Sequence, residues 1–226
     1  MDAITTFADR AALMAAAADR IADALRRGIE ARGAACAALS GGSTPEPAYR
    51  LLAQKRLEWR RVSFALVDER CVPPDHPSSN QGMLGRALEP ALRHGARILP
   101  MFTSGTTPVH AADLADAAYA PLHFDIALMG MGADGHTASW FPGAEGLEAA
   151  LDPTGSRTVA ALRAPQAAGA ADRLSLTLAA LRRAERVLLL ITGDEKRARL
   201  GAAAAASLPV AALLTLPTRP EVLWAP

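Results

Sequence analysis

Short apolar runs alternate with segments of helical periodicity, and this alternation restricts the possible folds more than any other feature of the sequence. Apolar runs lie at 34–39, 62–68, 96–101 and 125–131, and the first three are each followed by a helix-like segment. They lack the polar–apolar alternation of a strand with one exposed face, so we expect both faces to be buried. The pattern predicts an α/β fold with a doubly wound, mostly parallel sheet and helices on both faces.

The remaining elements follow from periodicity and end signals. The first helix is predicted over 9–32, where Leu13, Ala17, Ile21 and Leu25 share one face and Gly33 ends the helix. Further helices are predicted from Pro45 to Lys55 with Ser43 or Thr44 near the N-cap, near 79–89, near 107–121 and over 194–207. Further strands are predicted at 158–162, 173–178, 186–192 and 221–225, with a mobile loop over 164–172.

Composition restricts the compartment and the partners. The 226 residues suit a single domain over 1–226, and a net charge of +1 with no basic run favours neither nucleic acid nor a membrane as partner. Cys36 and Cys71 are too few for a disulfide framework and have no zinc-like spacing. The N-terminal segment lacks the pattern of a secretion signal, and no run of about twenty uncharged apolar residues exists. We therefore expect a cytoplasmic protein.

Candidate functional residues lie where strands end. In open α/β sheets, ligands bind at the carboxyl ends of the strands, which selects the loops at 40–44, 68–80, 130–143 and 192–196. The first of them reads SGGST before Pro45, where glycines and hydroxyls between a strand and a helix form a cradle for an anion. No Gly-Lys-Ser/Thr sequence follows, so this is not a Walker loop.

The third loop contains Gly130, Gly132 and Gly135 in the spacing G-x-G-x-x-G, the fingerprint of a dinucleotide-binding turn. Pro142 limits any following helix to two turns, and a carboxylate at Asp134 would repel a pyrophosphate. The alternative is catalytic: Asp134 and His136 would face a ligand at a strand end, with the histidine taking and returning a proton. We favour this second interpretation over a dinucleotide oxidoreductase.

Basic residues lie in or near the other loops. Asp68, Glu69 and Arg70 lie at the end of the strand predicted at 62–68, and the guanidinium of Arg70 could bind a carboxylate, a phosphate or a developing oxyanion. Arg173 begins a later strand, and Lys196 lies in the first turn of a helix, against the dipole preference for acidic groups there. That unfavourable position favours a role for Lys196 in ligand binding.

Taken in order, these segments resemble the 6-phosphogluconolactonase family over essentially the whole chain. The resemblance rests on LSGGSTP (39–45), VDERCVP (67–73), SN (79–80), GMGADGHTASWFPG (130–143), RLSLT (173–177) and TGDEK (192–196). It implies a Rossmann-like fold of the glucosamine-6-phosphate deaminase and ribose-5-phosphate isomerase kind. The implied activity is hydrolysis of 6-phosphogluconolactone in the pentose phosphate pathway, by a monomer or small homo-oligomer without metal or cofactor.

The resemblance also implies roles for individual residues. His136 would be the general base on water, Arg70 would stabilise the oxyanion, and Asp68 and Asp134 would orient these groups or the sugar hydroxyls. The phosphate would bind at Gly41, Gly42, Ser43 and Thr44, with Arg173 and Lys196 as counter-charges.

Two alternatives to the lactonase remain. The first is a glucosamine-6-phosphate deaminase, a related family whose pattern carries a glutamate at the position of Phe141 and a tyrosine at that of Arg70. The second is a non-catalytic phosphosugar sensor, which would ordinarily carry a DNA-binding module. Neither the deaminase pattern nor a basic DNA-binding module is found in the sequence.

Overall fold

The apolar runs form buried strands in the computed structural model, which describes residues 4–226. Both faces of the strand at Ala35–Leu39 are buried, as its lack of alternation predicts. The strands are β1 (Thr5–Thr6), β2 (Ala35–Leu39), β3 (Val62–Leu66), β4 (Asp68–Arg70), β5 (Arg97–Ile98), β6 (Ile126–Gly130), β7 (Val159–Arg163), β8 (Asp172–Leu176), β9 (Val187–Thr192) and β10 (Glu221–Ala225).

Seven of these strands form a single parallel sheet, in the order β1-β10-β9-β6-β2-β3-β5. Leu39 of β2 is in register with Leu66 of β3 and with Leu128 of β6, so the carboxyl ends of these central strands are level. The loops that follow β9, β6, β2 and β3 therefore open at the same edge of the sheet. The predicted parallel sheet is confirmed.

Helices flank the sheet, and the first of them matches its prediction closely. Asp9 caps it, Gly33 ends it in the left-handed conformation (φ 78°), and the predicted face is buried. The helices are α1 (Arg10–Arg32), α2 (Glu46–Leu52), α3 (Asn80–Ala87), α4 (Glu89–Arg93), α5 (Pro108–Tyr119), α6 (Leu147–Leu151), α7 (Leu178–Leu181) and α8 (Asp194–Gly201). No helix among residues 4–226 is both long enough and apolar enough to cross a membrane.

Several helix boundaries differ from their predictions. The helix predicted over 194–207 ends at Gly201, and the alanine-rich segment after it forms turns that end at Ser207 with a φ of 50°. Tertiary contacts override the helix propensity of alanine there, because the chain must reverse to bury Val210 and Leu213. Helix α2 begins after Pro45 without a side-chain cap, so neither Ser43 nor Thr44 caps it.

A second sheet was not predicted from the sequence. Its three antiparallel strands have the order β4-β8-β7, although the segments of β7 and β8 were predicted as strands. Val67 joins the two sheets, because its N–H donates to Leu39 of the parallel sheet and its carbonyl accepts from Leu176 of the antiparallel one. The predicted strand at 62–68 is therefore divided at Val67, and its last residue, Asp68, lies in the smaller sheet.

Candidate active site

The loops at the carboxyl ends of β9, β6, β2 and β3 line a cavity of about 310 Å³ that opens to solvent. Every residue predicted for the site lines it except Asp134, which contacts one of the lining residues. The predicted residues come from opposite parts of the chain, and the fold brings them together. Asn80 and Phe141 also line the cavity, and the sequence analysis did not assign either of them to the site.

Asp134 and His136 form a hydrogen-bonded pair. Oδ1 of Asp134 lies 2.5 Å from Nδ1 of His136 and 3.2 Å from its backbone nitrogen. An ionised carboxylate can only accept hydrogen bonds, so Nδ1 carries the proton and Nε2 of His136 is left as the basic nitrogen. A Cβ at Gly132 would lie 2.2 Å from the imidazole ring, so the pair packs directly on this glycine.

The carboxylate of Asp134 stays ionised in this setting. Partial burial works to raise the pKa of Asp134, but hydrogen bonds from the backbone and ring of His136, together with its charge, lower that pKa below its usual value. The ionised carboxylate stabilises the imidazolium that forms when His136 accepts a proton. The arrangement is that of an oriented general base.

The turn at 130–135 lacks the strand–turn–helix geometry of a dinucleotide-binding turn. Between β6 and Leu147, where α6 begins, the chain forms turns and bends, so no helix begins directly after the turn. The N–H of Gly132 donates to His136 and that of Gly135 donates to Gly132, so these two groups are already engaged. The glycines instead shape the loop that holds Asp134 and His136.

Arg70 and Arg173 lie side by side, directly opposite each other on the paired strands β4 and β8. Within residues 4–226, neither guanidinium forms an ion pair with a carboxylate. Nη1 of Arg70 donates to the carbonyl of Ser78 at 2.6 Å and to Oδ1 of Asn80 at 3.0 Å, while Nη2 of Arg173 donates to the carbonyl of Ala168. Two adjacent, partly buried cations with only neutral partners create a strong site for an anion.

Unpartnered polar atoms mark the same cavity. Among the described residues, three buried side-chain nitrogen or oxygen atoms lack a hydrogen-bond partner: Ser40 Oγ, Arg70 Nε and Arg173 Nε. All three residues line the cavity. A buried polar atom without a hydrogen-bond partner costs free energy of folding. The presence of three such atoms around one cavity therefore indicates a polar ligand.

Burial lowers the pKa of Arg173, an effect opposed by the charge of Asp68 and reinforced by that of Arg70. Even so, an arginine keeps its charge at neutral pH. Lys196 also lines the cavity, and burial followed by repulsion from Arg10 lowers the pKa of its ammonium group. The negative charge of Asp134 opposes this shift of the Lys196 pKa.

Asn80 connects the groups at the end of β4. Its Nδ2 donates to the carbonyl of Asp68 at 2.8 Å and to Oδ1 of that residue at 3.3 Å, and its Oδ1 accepts from Arg70. The other oxygen of Asp68 accepts from Ser139 at 2.6 Å. A Cβ at Gly41 would lie 1.8 Å from Oδ1 of Asn80, so the glycine-rich loop packs against the same amide.

Glu69 points away from the cavity and holds the segment that carries Asn80. It is 1 % exposed, and its two oxygens accept from the N–H groups of Arg70, Asn80 and Gln81 and from the hydroxyl of Ser79. Burial raises its pKa, although these hydrogen bonds oppose the shift. The sequence signal for this network was the SN dipeptide at 79–80, but its partner Glu69 could not be identified without the fold.

The loop at 41–44 has the free donors that anion binding requires. In the part of the chain that the structure describes, none of the four backbone N–H groups of this loop donates a hydrogen bond. Gly42 adopts a φ of 100°, which only glycine tolerates readily, and Tyr49 anchors the start of the loop through a 2.7 Å hydrogen bond to the carbonyl of Ser40.

The two cysteine thiols and the one cluster of possible metal ligands among the described residues were compared with the cavity. Burial raises the pKa of both Cys36 and Cys71 to about 12, so neither thiol is activated. Among residues 4–226, one group of side chains has metal-binding distances, and it consists of His123, Asp125 and Glu185. Arg32 forms ion pairs with both of these carboxylates, and none of the group lines the cavity.

Similarity to known proteins covers the whole fold. Residues 8–224 match the family model of glucosamine-6-phosphate isomerases/6-phosphogluconolactonase. A 6-phosphogluconolactonase of Mesorhizobium japonicum is 40 % identical over 225 residues, which are 97 % of this chain and 94 % of the relative.

Solved structures agree with this. A 6-phosphogluconolactonase from Shewanella baltica has a TM-score of 0.93 at 30 % identity and covers 100 % of this chain and 98 % of its own. A monomeric glucosamine-6-phosphate deaminase has a TM-score of 0.78 at 19 % identity, covering 98 % of this chain and 96 % of its own. The second similarity shows a common fold only.

Proposed function

Because this chain belongs to the glucosamine-6-phosphate isomerase/6-phosphogluconolactonase family, we propose that it hydrolyses 6-phosphogluconolactone to 6-phosphogluconate. The activity is that of the lactone hydrolases of the family and serves the pentose phosphate pathway. One observation carries the proposal beyond family membership: an oriented base and two unpaired arginines line one cavity. A substrate that carries an ester carbonyl and a phosphate requires both a base and positively charged groups.

His136 acts as the general base in the proposed reaction. Its Nε2 takes a proton from a water molecule while the water oxygen attacks the lactone carbonyl carbon. The ring C–O bond then breaks, and the imidazolium returns the proton to the departing ring oxygen. The product is a carboxylic acid, which ionises at neutral pH. Asp134 keeps the imidazole in the required tautomer through its contact with Nδ1.

Arg70 stabilises the carbonyl oxygen as that oxygen gains negative charge. Asn80 and the carbonyl of Ser78 hold its Nη1, and its unpartnered Nε is free for the oxyanion. Asp68 cannot itself serve as the base while Ser139 and Asn80 occupy its oxygens, so we assign it to orienting the sugar hydroxyls and Asn80. Preorganised donors such as Arg70 stabilise the transition state because they need no rearrangement during the reaction.

The phosphate binds beside the glycine-rich loop at 41–44, in the same cavity. The free N–H groups of 41–44 supply hydrogen-bond donors, and Arg173 and Lys196 supply positive charge. The unpartnered Nε of Arg173 supports this assignment. Binding energy from the phosphate then positions the lactone carbonyl near His136.

The apolar side chain of Phe141 argues against deaminase activity. The side chain next to His136 is apolar and 7 % exposed, so no second carboxylate is available there to assist opening of an amino-sugar ring. A phosphosugar sensor would need the anion site but not the oriented base. Residues 1–226 as one domain, a cytoplasmic location and a monomer or small homo-oligomer stay predictions.

Substitution of single residues tests these assignments. His136→Ala should lower kcat about 100-fold or more with little change in KM, measured with fresh lactone and corrected for spontaneous hydrolysis. Arg173→Ala should mainly raise KM and weaken binding of 6-phosphogluconate. Wild-type kcat in His136→Ala would refute the base assignment.

Glucosamine 6-phosphate provides the control for the alternative enzyme. We expect the wild-type protein to release no ammonia from it under conditions in which the lactone is hydrolysed. Ammonia release would reverse the choice, and tight 6-phosphogluconate binding without turnover of either substrate would favour the sensor.

A further inference from the structure

Phe141 contacts both the base and the phosphate-binding cation. Its ring is stacked on the imidazole of His136, with centroids 4.0 Å apart and an interplanar angle of 26°. The guanidinium carbon of Arg173 lies over the same ring, 4.9 Å from its centroid. Phe141 thus forms a direct link between residues that serve the two halves of the proposed reaction.

The contacts of Arg173 explain why an aromatic ring suits this position. The guanidinium is held by the Phe141 ring and by the carbonyl of Ala168, and both are neutral. A ring quadrupole attracts a cation without cancelling its charge, whereas a carboxylate would form an ion pair and compete with an anionic ligand. The full positive charge of Arg173 therefore remains available to the cavity.

The contacts of His136 complete the argument. Asp134 restrains the imidazole at one ring atom, but a single hydrogen bond leaves the ring free to tilt about it. Stacking on Phe141 restrains the ring plane. The two contacts together determine the direction of Nε2, on which proton transfer depends.

We propose that Phe141 is a positioning residue that fixes the general base and the phosphate-binding arginine relative to each other and keeps Arg173 out of an ion pair with a carboxylate. This proposal rests on the proposed lactonase function and adds a determinant of reaction specificity to it. Phe141 touches neither the reacting atoms nor the phosphate in this role.

Two pairs of variants distinguish the effect of the aromatic ring at position 141 from the effect of its having no charge. Phe141→Tyr keeps the aromatic face and should retain kcat/KM within about threefold, while Phe141→Leu should lose about tenfold or more. Phe141→Leu should also weaken binding of 6-phosphogluconate, because Arg173 loses its support. Phe124→Leu is the matched control: this buried phenylalanine precedes β6, at the opposite edge of the sheet from the cavity.

Phe141→Glu and Phe141→Gln form the second pair, with nearly equal shape. The carboxylate should stabilise protonated His136, so the acid limb of the kcat/KM profile moves to higher pH in Phe141→Glu and not in Phe141→Gln. A general loss of stability would affect the Glu and Gln variants alike, so it would not produce a difference between their pH profiles. Phe141→Glu should also bind 6-phosphogluconate more weakly than Phe141→Gln does, because the carboxylate competes for Arg173.

The results separate the two proposals. Equal kcat/KM in Phe141→Leu and Phe124→Leu, or identical pH profiles for the Glu and Gln variants, would overturn the role of Phe141. A wild-type protein that does not hydrolyse the lactone would overturn the proposed function instead. In that case the 6-phosphogluconate titrations would still decide whether Phe141 supports Arg173.

Discussion

Replacing Asp134 by asparagine tests the catalytic pair most directly. The substitution preserves shape but removes the charge that lies 2.5 Å from Nδ1 of His136. If the new amide nitrogen faces the ring, it donates to Nδ1, and Nε2 then carries the proton and cannot act as a base. If the amide oxygen faces the ring, the tautomer survives, but the imidazolium loses its stabilising charge.

The expected loss follows from the exposure of the pair. A hydrogen bond to a charged group contributes about 1.5–3 kcal/mol, and the Asp134 side chain is 49 % exposed, which favours the lower half of this range. About 1.5–2 kcal/mol in the transition state corresponds to a fall in kcat of about 10- to 30-fold. His136→Ala should cost more, because it removes the base itself.

The assay is the initial rate of lactone hydrolysis with the spontaneous rate subtracted. In the double variant, Asp134→Asn should add nothing to the loss caused by His136→Ala, since the carboxylate acts only through the imidazole. Asp152→Asn is the matched control, because Asp152 accepts from a backbone N–H two residues ahead in the same way but bonds to Thr154, which does not line the cavity. Additive losses in the double variant, or unchanged kcat in Asp134→Asn, would refute the reasoning.

Three further substitutions test the surroundings of the base. Because its pKa is lowered, Lys196 should lose its charge at a lower pH than an ordinary lysine, so affinity for 6-phosphogluconate should fall with rising alkaline pH in wild type but not in Lys196→Arg, measured by calorimetry. Glu69→Gln leaves buried donors unsatisfied and should lower the free energy of unfolding by about 3 kcal/mol in urea titrations; an unchanged midpoint would show that these hydrogen bonds are replaceable. Gly132→Ala places a Cβ 2.2 Å from the ring of His136 and should lower kcat about 100-fold with the fold intact by circular dichroism, whereas near-normal turnover would mean that the ring need not lie there.

Local patterns predicted the elements that carry the site. Buried strands read as continuous apolar runs because neither face meets water, which located β2, β3, β6 and β9. Parallel strands joined by helices end at one edge, so the sequence alone was enough to place the loop with the anion cradle and the loop with His136 at the same edge of the sheet. The charges at Arg173 and Lys196 were recognised through the family resemblance and their positions near strand or helix ends.

Pairings between distant segments had no local signal. Arg70 lies opposite Arg173 only because β4 pairs with β8, and register between strands about a hundred residues apart depends on the packed core rather than on either segment. The same holds for Asn80, whose amide meets Asp68 and Arg70 through a turn held by the buried carboxylate of Glu69.

Phe141 shows the division between sequence and tertiary structure most clearly. The sequence by itself determined that an apolar residue lies five positions after His136, and that residue distinguished two related chemistries. Only the tertiary structure decided that its ring supports both His136 and Arg173. Stacking and cation–π contacts depend on distances of 4 to 5 Å between rings and charges, and such distances exist only after the chain has packed.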